Sequence, residues 1–221
     1  MRDRALPALE IEPPAPADAS VIWLHGLGAN GYDFQPVAQA LSLSAVRFVL
    51  PHAPERAVTL NGGYVMPAWY DITDPDLRLG EDAVGIRTSQ GQVEALIERE
   101  KERGIPDARI VLAGFSQGGA VALHTGLRHP TRLGGILALS TYLPLAATVA
   151  AEASPANCHI PVFMAHGSFD TIIPLPHALA SRNQLVALGC ALAWHEYPMA
   201  HTVTAQEIAD IGHWLKYRLA L

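Results

Sequence analysis

Several short runs in this chain, among them Val21-Ile-Trp-Leu24 and Pro161-Val-Phe-Met-Ala165, are apolar at every position. A strand with one wet face alternates apolar and polar residues. A strand apolar throughout has to be covered on both faces, and sheets so covered are mostly parallel. Segments of helical period lie between these runs. Over Glu81 to Glu102, apolar residues recur at Val84, Ile86, Val93, Leu96 and Ile97, and Gly104 is placed to end the helix. Over Thr204 to Tyr217, Ile208, Ile211, Trp214 and Leu215 share one side. Further strands are expected at Val46 to Leu50, Arg109 to Ala113, within Leu133 to Ser140, and at Ala191 to Tyr197. Further helices are expected from Asp33, as cap, through Leu41, from Gly118 to Arg128, and from Pro174 to Leu188, closed by Gly189. This alternation predicts the α/β class: a mostly parallel central sheet with helices on both faces.

The chain has 221 residues, half of them apolar, which suits one domain over 1–221 preceded by a proline-rich lead over 1–20. Neither a repeat nor a linker interrupts it. Residues 51–80 stand apart, with Pro51, Pro54, Pro67, Pro75, the pair Gly62-Gly63 and the aromatics Tyr64, Trp69 and Tyr70. A loop of that length in a compact domain is usually functional, and its aromatics argue against disorder. The net charge of −6 comes without a basic run, so nucleic acid is not an expected partner. Cys158 and Cys190 make neither a disulfide framework nor a metal-ligand set, and read as two free, packed thiols. The lead lacks an apolar stretch of signal length, and no window approaches a membrane span of roughly 18 apolar residues. A soluble, cytoplasmic chain is expected.

Open sheets of this kind place their sites beyond the carboxyl ends of the strands. There Ile110-Val-Leu-Ala-Gly-Phe-Ser116-Gln-Gly-Gly-Ala-Val-Ala-Leu123 carries one serine between glycines, where a strand gives way to a helix. Gly114-Phe115-Ser116-Gln117-Gly118 fits G-x-S-x-G in the required setting. Such a turn is strained and tightly packed, so side chains two residues either side of the serine would clash. It lifts Ser116 above the sheet edge, with the following amides at a helix N-terminus, where developing negative charge is favoured.

A serine hydroxyl is a weak nucleophile without a base, and this motif takes its acid and its histidine later in the chain, in that order. Asp170 follows the strand at Pro161–Ala165, and His201 falls between the last strand and the last helix. His124, His129, His159, His177, His195 and His213 lie on elements or in loops that fit the role worse. Ser116 is then the nucleophile, His201 the base and Asp170 the group that orients the imidazole. The backbone N–H of Gln117 is one candidate oxyanion donor, and the Leu27 amide, after the strand Val21–Leu24, is the second. His25 and His166 each precede a glycine at a strand end and read as loop-organising residues.

At this point LHGLGANGYDF, PHAPERAVTLNGGYVMPAWYDI, LAGFSQGGAVAL, AHGSFDTIIP and YPMAHTV resemble the phospholipase/carboxylesterase family, which includes bacterial carboxylesterases and acyl-protein thioesterases. The likeness runs from about Val21 to the C-terminus, and order and spacing agree throughout. It implies the α/β-hydrolase fold without a large cap domain, and hydrolysis of carboxylic esters or thioesters with no metal and no organic cofactor. It carries Ser116, Asp170 and His201 over as the triad, and Leu27 and Gln117 as oxyanion donors. It also suggests that the loop around Tyr64–Tyr70 borders an acyl pocket, with Trp69 and Tyr64 as its substrate-pocket residues.

The resulting expectation is a serine carboxylesterase acting on short- to medium-chain esters through an acyl-enzyme. The alternative is a lysophospholipase or acyl-protein thioesterase using the same residues on a small-molecule or lipid ester. A non-catalytic binding protein would be expected to lack the serine, the histidine or a donor loop, and all are here. A dienelactone-hydrolase-like enzyme needs a cysteine where Ser116 stands. A homodimer paired through an apolar face near the aromatic loop is compatible with the sequence.

Overall fold

The computed structural model describes residues 6–77 and 79–221. The first half of the chain forms β1 (Ala8–Ile11), β2 (Ala19–Leu24), α1 (Gln35–Leu41), β3 (Val46–Pro51), β4 (Glu55–Val58), β5 (Tyr64–Pro67) and α2 (Ala83–Glu102). The second half forms β6 (Ile110–Phe115), α3 (Gln117–Arg128), β7 (Gly135–Leu139), α4 (Val149–Glu152), β8 (Pro161–Gly167), α5 (Leu175–Ala187), β9 (Ala191–Tyr197) and α6 (Ala205–Leu219). Seven strands make one sheet in the order β1-β3-β2-β6-β7-β8-β9. All pairs are parallel except β1 with β3. This is the α/β-hydrolase arrangement, and among the described residues no inserted domain covers the carboxyl edge of its strands.

The period of two along each buried strand sorts its residues onto two faces. Ile22, Leu24, Leu112, Ile136, Val162 and Met164 pack with Ile86, Val93, Leu96 and Ile97 of α2, with α3, and with Leu185 of α5. Val21, Trp23, Val111, Leu137 and Phe163 pack on the other face with Leu41 of α1 and with Ile211 and Leu215 of α6. Each such aliphatic side chain contributes about 1.5–3 kcal/mol on burial. Sheet burial on both faces is therefore what the uninterrupted apolar runs encode. Val84 departs from the pattern: it is 78% exposed, turned away from the face that holds Ile86 and Val93.

Three features were hidden in the sequence. The proline-rich lead contributes β1, which pairs with β3 at one edge of the described sheet. It is tied to α2 by charge: Glu10 and Glu12 meet Arg99, Arg103 and Arg47 around the fully buried Glu100 carboxylate. Residues 51–80 are not one loop, because β4 and β5 pair as an antiparallel hairpin within them. Asp33 does not cap α1. Asn30 caps a short 3-10 turn, Gly31–Phe34, with Asp33 as the reciprocal partner in a capping box, and α1 continues from it. The cysteines are both free, but only Cys190 is buried; Cys158 is exposed.

The same capping device starts α6, where Thr204 and Glu207 exchange side-chain bonds with each other's backbone. Here the carboxylate is buried, and its Oε1 has no partner among the described residues. Burial pushes the Glu207 carboxyl up from 4.5 to about 7, with the Asp210 charge adding to the rise and the Thr204 N–H opposing it. An acid raised in the folded state stabilises fully below its unfolded value, and that stability is lost as pH climbs through its folded value. The window runs from 4.5 to about 7, roughly 3 kcal/mol by linkage. Urea unfolding of wild type and Glu207→Gln at pH 5 and pH 8 checks this. The wild type is expected to lose on the order of 2–3 kcal/mol more than the variant between the two; parallel losses would show that Glu207 does not titrate there.

Candidate active site

Strand β6 is the middle strand of the seven, and the turn at its carboxyl end carries Ser116. Ser116 adopts φ 54°, ψ −122°, a sparsely populated conformation for a residue with a side chain. The flanking glycines are sterically required. A Cβ on Gly114 would lie 2.3 Å from the Gly118 backbone, and one on Gly118 would lie 2.3 Å from Leu24 O. The Ser116 N–H donates to Leu139 O at 2.9 Å, and Thr141 Oγ1 donates to Ser116 O at 2.7 Å, so β7 pins the turn from one side. Ser116 is 9% exposed, and its hydroxyl makes no hydrogen bond among the described residues.

Asp170 and His201 follow β8 and β9, two strands that pair in register up to Gly167↔Tyr197. That pairing brings the two loops together. His201 Nδ1 lies 2.7 Å from Asp170 Oδ2, and the Asp170 side chain is fully buried. Its other oxygen, Oδ1, accepts from the N–H groups of Ile172 and Ile173, both at 2.9 Å. With Oδ1 so engaged, Oδ2 is left to face the imidazole, and Nδ1 of His201 carries the proton it donates. The Phe115 ring packs beside the imidazole, centroids 4.7 Å apart. His201 and Ser116 line one cleft of about 570 Å³, with Phe34, Val37, Phe115 and Val203 as its apolar walls.

A second cavity of about 370 Å³ also reaches Ser116. Leu27 and Gln117 line it beside the serine, and Leu60, Tyr70, Ile72, Leu77 and Tyr142 form its body. Leu27 and Ile172 border both spaces, so Ser116 stands where they meet. The Tyr70 and Tyr142 hydroxyls bond to each other at 2.9 Å, and burial pushes both phenols well up.

The two loop histidines behave as organisers. His25 is buried; Ala53 N–H donates to its Nε2 at 3.0 Å, so its Nδ1 carries the proton donated to Gly26 O at 2.7 Å. Burial holds this imidazole below its usual value, which keeps it neutral. His166 is likewise buried and lowered by burial; its Nε2 donates to Ile173 O at 2.8 Å, bracing the turn that presents Asp170.

The expectation that Tyr64 and Trp69 face an acyl pocket does not fit the structure, since neither lines either space. Tyr64 sits on β5, 69% exposed, and Trp69 is fully buried. Trp69 is held by hydrogen bonds instead: its indole N–H donates to His25 O at 2.8 Å and its backbone N–H to Gln117 Oε1 at 2.8 Å. The pocket wall is the neighbouring Tyr70. Period alone cannot tell which of two adjacent aromatics faces inward on irregular backbone. Among the described residues no cluster of His, Cys, Asp or Glu has the arrangement of a metal site, and no helix is long and apolar enough to cross a membrane.

Residues 8–219 match the family model described as Phospholipase/Carboxylesterase. Acyl-protein thioesterase 1 of Yarrowia lipolytica is 38% identical over 218 residues, covering 95% of this chain and 96% of that protein. The crystal structure of Zea mays acyl-protein thioesterase 2 superposes with a TM-score of 0.85 at 28% identity, covering 97% of this chain and 99% of that one. That of esterase PE8 gives 0.83 at 27% identity, covering 98% of this chain and all (100%) of the other. The enzyme is an ester hydrolase, and the chain belongs to the phospholipase/carboxylesterase family.

Proposed function

We propose that this enzyme cleaves acyl thioesters and uncharged acyl esters of medium to long chain, as an acyl-protein thioesterase does, rather than short carboxylic esters. The observation that carries the reading is the position of Ser116 at the junction of two unlike spaces, one holding His201 and the other a mostly apolar body. A base that takes the serine proton returns it to the leaving group. The leaving group therefore belongs in the cleft with His201, and the acyl chain in the 370 Å³ cavity, which is of ligand-pocket size.

The steps follow from the geometry. Ser116 Oγ attacks the acyl carbon and its proton passes to His201 Nε2, while Asp170 steadies the imidazolium through Nδ1. The negative oxygen is met by the backbone N–H groups of Leu27 and Gln117, neither of which donates to another acceptor among the described residues. His201 protonates the departing thiol or alcohol, and water reverses the sequence. The names of the thioesterase relatives favour this reading over the short-chain carboxylesterase that the sequence suggested. A lysophospholipase reading has less support. Among the described residues lining the cleft, Asp33 is the one acidic side chain and no Lys or Arg stands there to meet a phosphate.

Initial rates on p-nitrophenyl esters and on acyl thioesters of a common small thiol, from two to sixteen carbons, test this. Burying a methylene contributes about 0.8 kcal/mol, so kcat/KM is expected to rise roughly fourfold per carbon until the cavity fills. A maximum at two to four carbons would overturn the long-chain assignment.

A further inference from the structure

Two backbone amides that serve one oxyanion must be held a fixed distance apart, yet Leu27 and Gln117 come from different strands' loops. What spans them is residues 67–70. Gly28 N–H donates to Pro67 O at 2.8 Å, and the Trp69 indole N–H donates to His25 O at 2.8 Å. These bonds grip the Leu27 loop on both sides of the donor. On the other flank, Trp69 N–H donates to Gln117 Oε1 at 2.8 Å, and Gln117 Nε2 donates to Tyr70 O at 2.7 Å. The Gln117 carboxamide thus bonds the 69–70 backbone as a neighbouring strand would. Ser89 Oγ donates to Trp69 O from α2, and the His25 and Trp69 rings pack with centroids 5.2 Å apart.

We propose that Trp69 and the Gln117 side chain are positioning residues that set the spacing of the two oxyanion-hole amides. The inference rests on the proposed role of those amides. Trp69 touches both donor loops and neither cavity, so it acts through them and not on substrate. The His25 carbonyl has no room for a replacement partner on its other side, since a Cβ on Gly118 would lie 2.5 Å from it. A buried carbonyl stripped of its donor moves toward another one. Moving the His25 peptide displaces Leu27, two residues on.

The test is Trp69→Phe, which keeps an aromatic ring at the site but loses the N–H together with the fused five-membered ring, beside Gln117→Met, which removes both side-chain bonds and leaves the backbone donor. Each is assayed for kcat and KM on the best ester, for melting temperature, and for affinity to a trifluoromethyl ketone of the same acyl chain. Serine adds to that ketone to give a tetrahedral oxyanion. Loss of one whole oxyanion donor lowers kcat by about 10²–10³, so misplacement is expected to cost roughly 10- to 100-fold. KM should move less than about threefold, and ketone affinity should weaken in step with kcat, as a purely structural defect would not arrange. A folded Trp69→Phe with wild-type kcat overturns the proposal, as does a fall in kcat with ketone affinity unchanged. If Trp69→Phe does not fold, Gln117→Met decides by the same criteria. Failure of the underlying reading is separate: it would show as an unimpaired Ser116→Ala enzyme.

Discussion

Ser116→Ala is expected to lower kcat by roughly 10⁴- to 10⁶-fold while leaving the fold and the melting temperature nearly unchanged. The size follows from what the substitution leaves behind. In the proposed mechanism two amides would still polarise the carbonyl and two cavities would still bind the substrate, but the acyl group would have no protein atom to accept it. The tyrosine hydroxyls on the wall of the second cavity offer no replacement. Tyr70 and Tyr142 are bonded to each other, and burial pushes their phenols up, away from the phenolate a nucleophile would need. Neither cysteine lines either space. Stability should change little, because the Ser116 hydroxyl has no hydrogen bond to lose among the described residues, and the bonds of its own N–H and carbonyl are kept by alanine. The variant is read by single-turnover hydrolysis beside thermal unfolding. A residual kcat above about 1% of wild type would place the nucleophile elsewhere.

Much of this site could be read from the chain because its constraints are local. The glycines around Ser116 reflect collisions within one turn, and the order of Ser116, Asp170 and His201 reflects which parallel strand each follows. The apolar runs that placed β2, β6 and β8 encode burial on both faces. What escaped was decided by partners distant in sequence. β1 lies in a stretch that reads as a proline-rich lead, and it becomes a strand through β3 and through arginines of α2. The β4–β5 hairpin shows no clear alternation, since its exposed residues include Tyr64 and Val65. Trp69 looked like a pocket residue because large aromatics in loops often are. Its true place is set by three acceptors and donors on β2's loop, α3 and α2, none adjacent in sequence. A lone glutamine after the serine likewise advertises its backbone N–H, not its carboxamide.

Asp170→Asn is the other substitution expected to be severe, near 10⁴-fold in kcat, although it changes a single atom and preserves shape. Oδ1 accepts two backbone N–H groups, from Ile172 and Ile173, and an amide NH₂ turned that way would set donor against donor. The asparagine must therefore keep its oxygen there, which points its NH₂ at His201 Nδ1, where Oδ2 had accepted at 2.7 Å. His201 can meet that NH₂ only by presenting a bare Nδ1, so its proton moves to Nε2 and the lone pair that would take the Ser116 proton is gone. The imidazolium formed during reaction also loses its buried counter-charge. KM should stay within a few-fold, since Asp170 lines neither cavity. Raising pH should not restore the rate, because the defect is the tautomer and not the charge of the ring. A loss below about tenfold would move the orienting role to another carboxylate, with Asp33, the one acid on the cleft wall, first to be replaced.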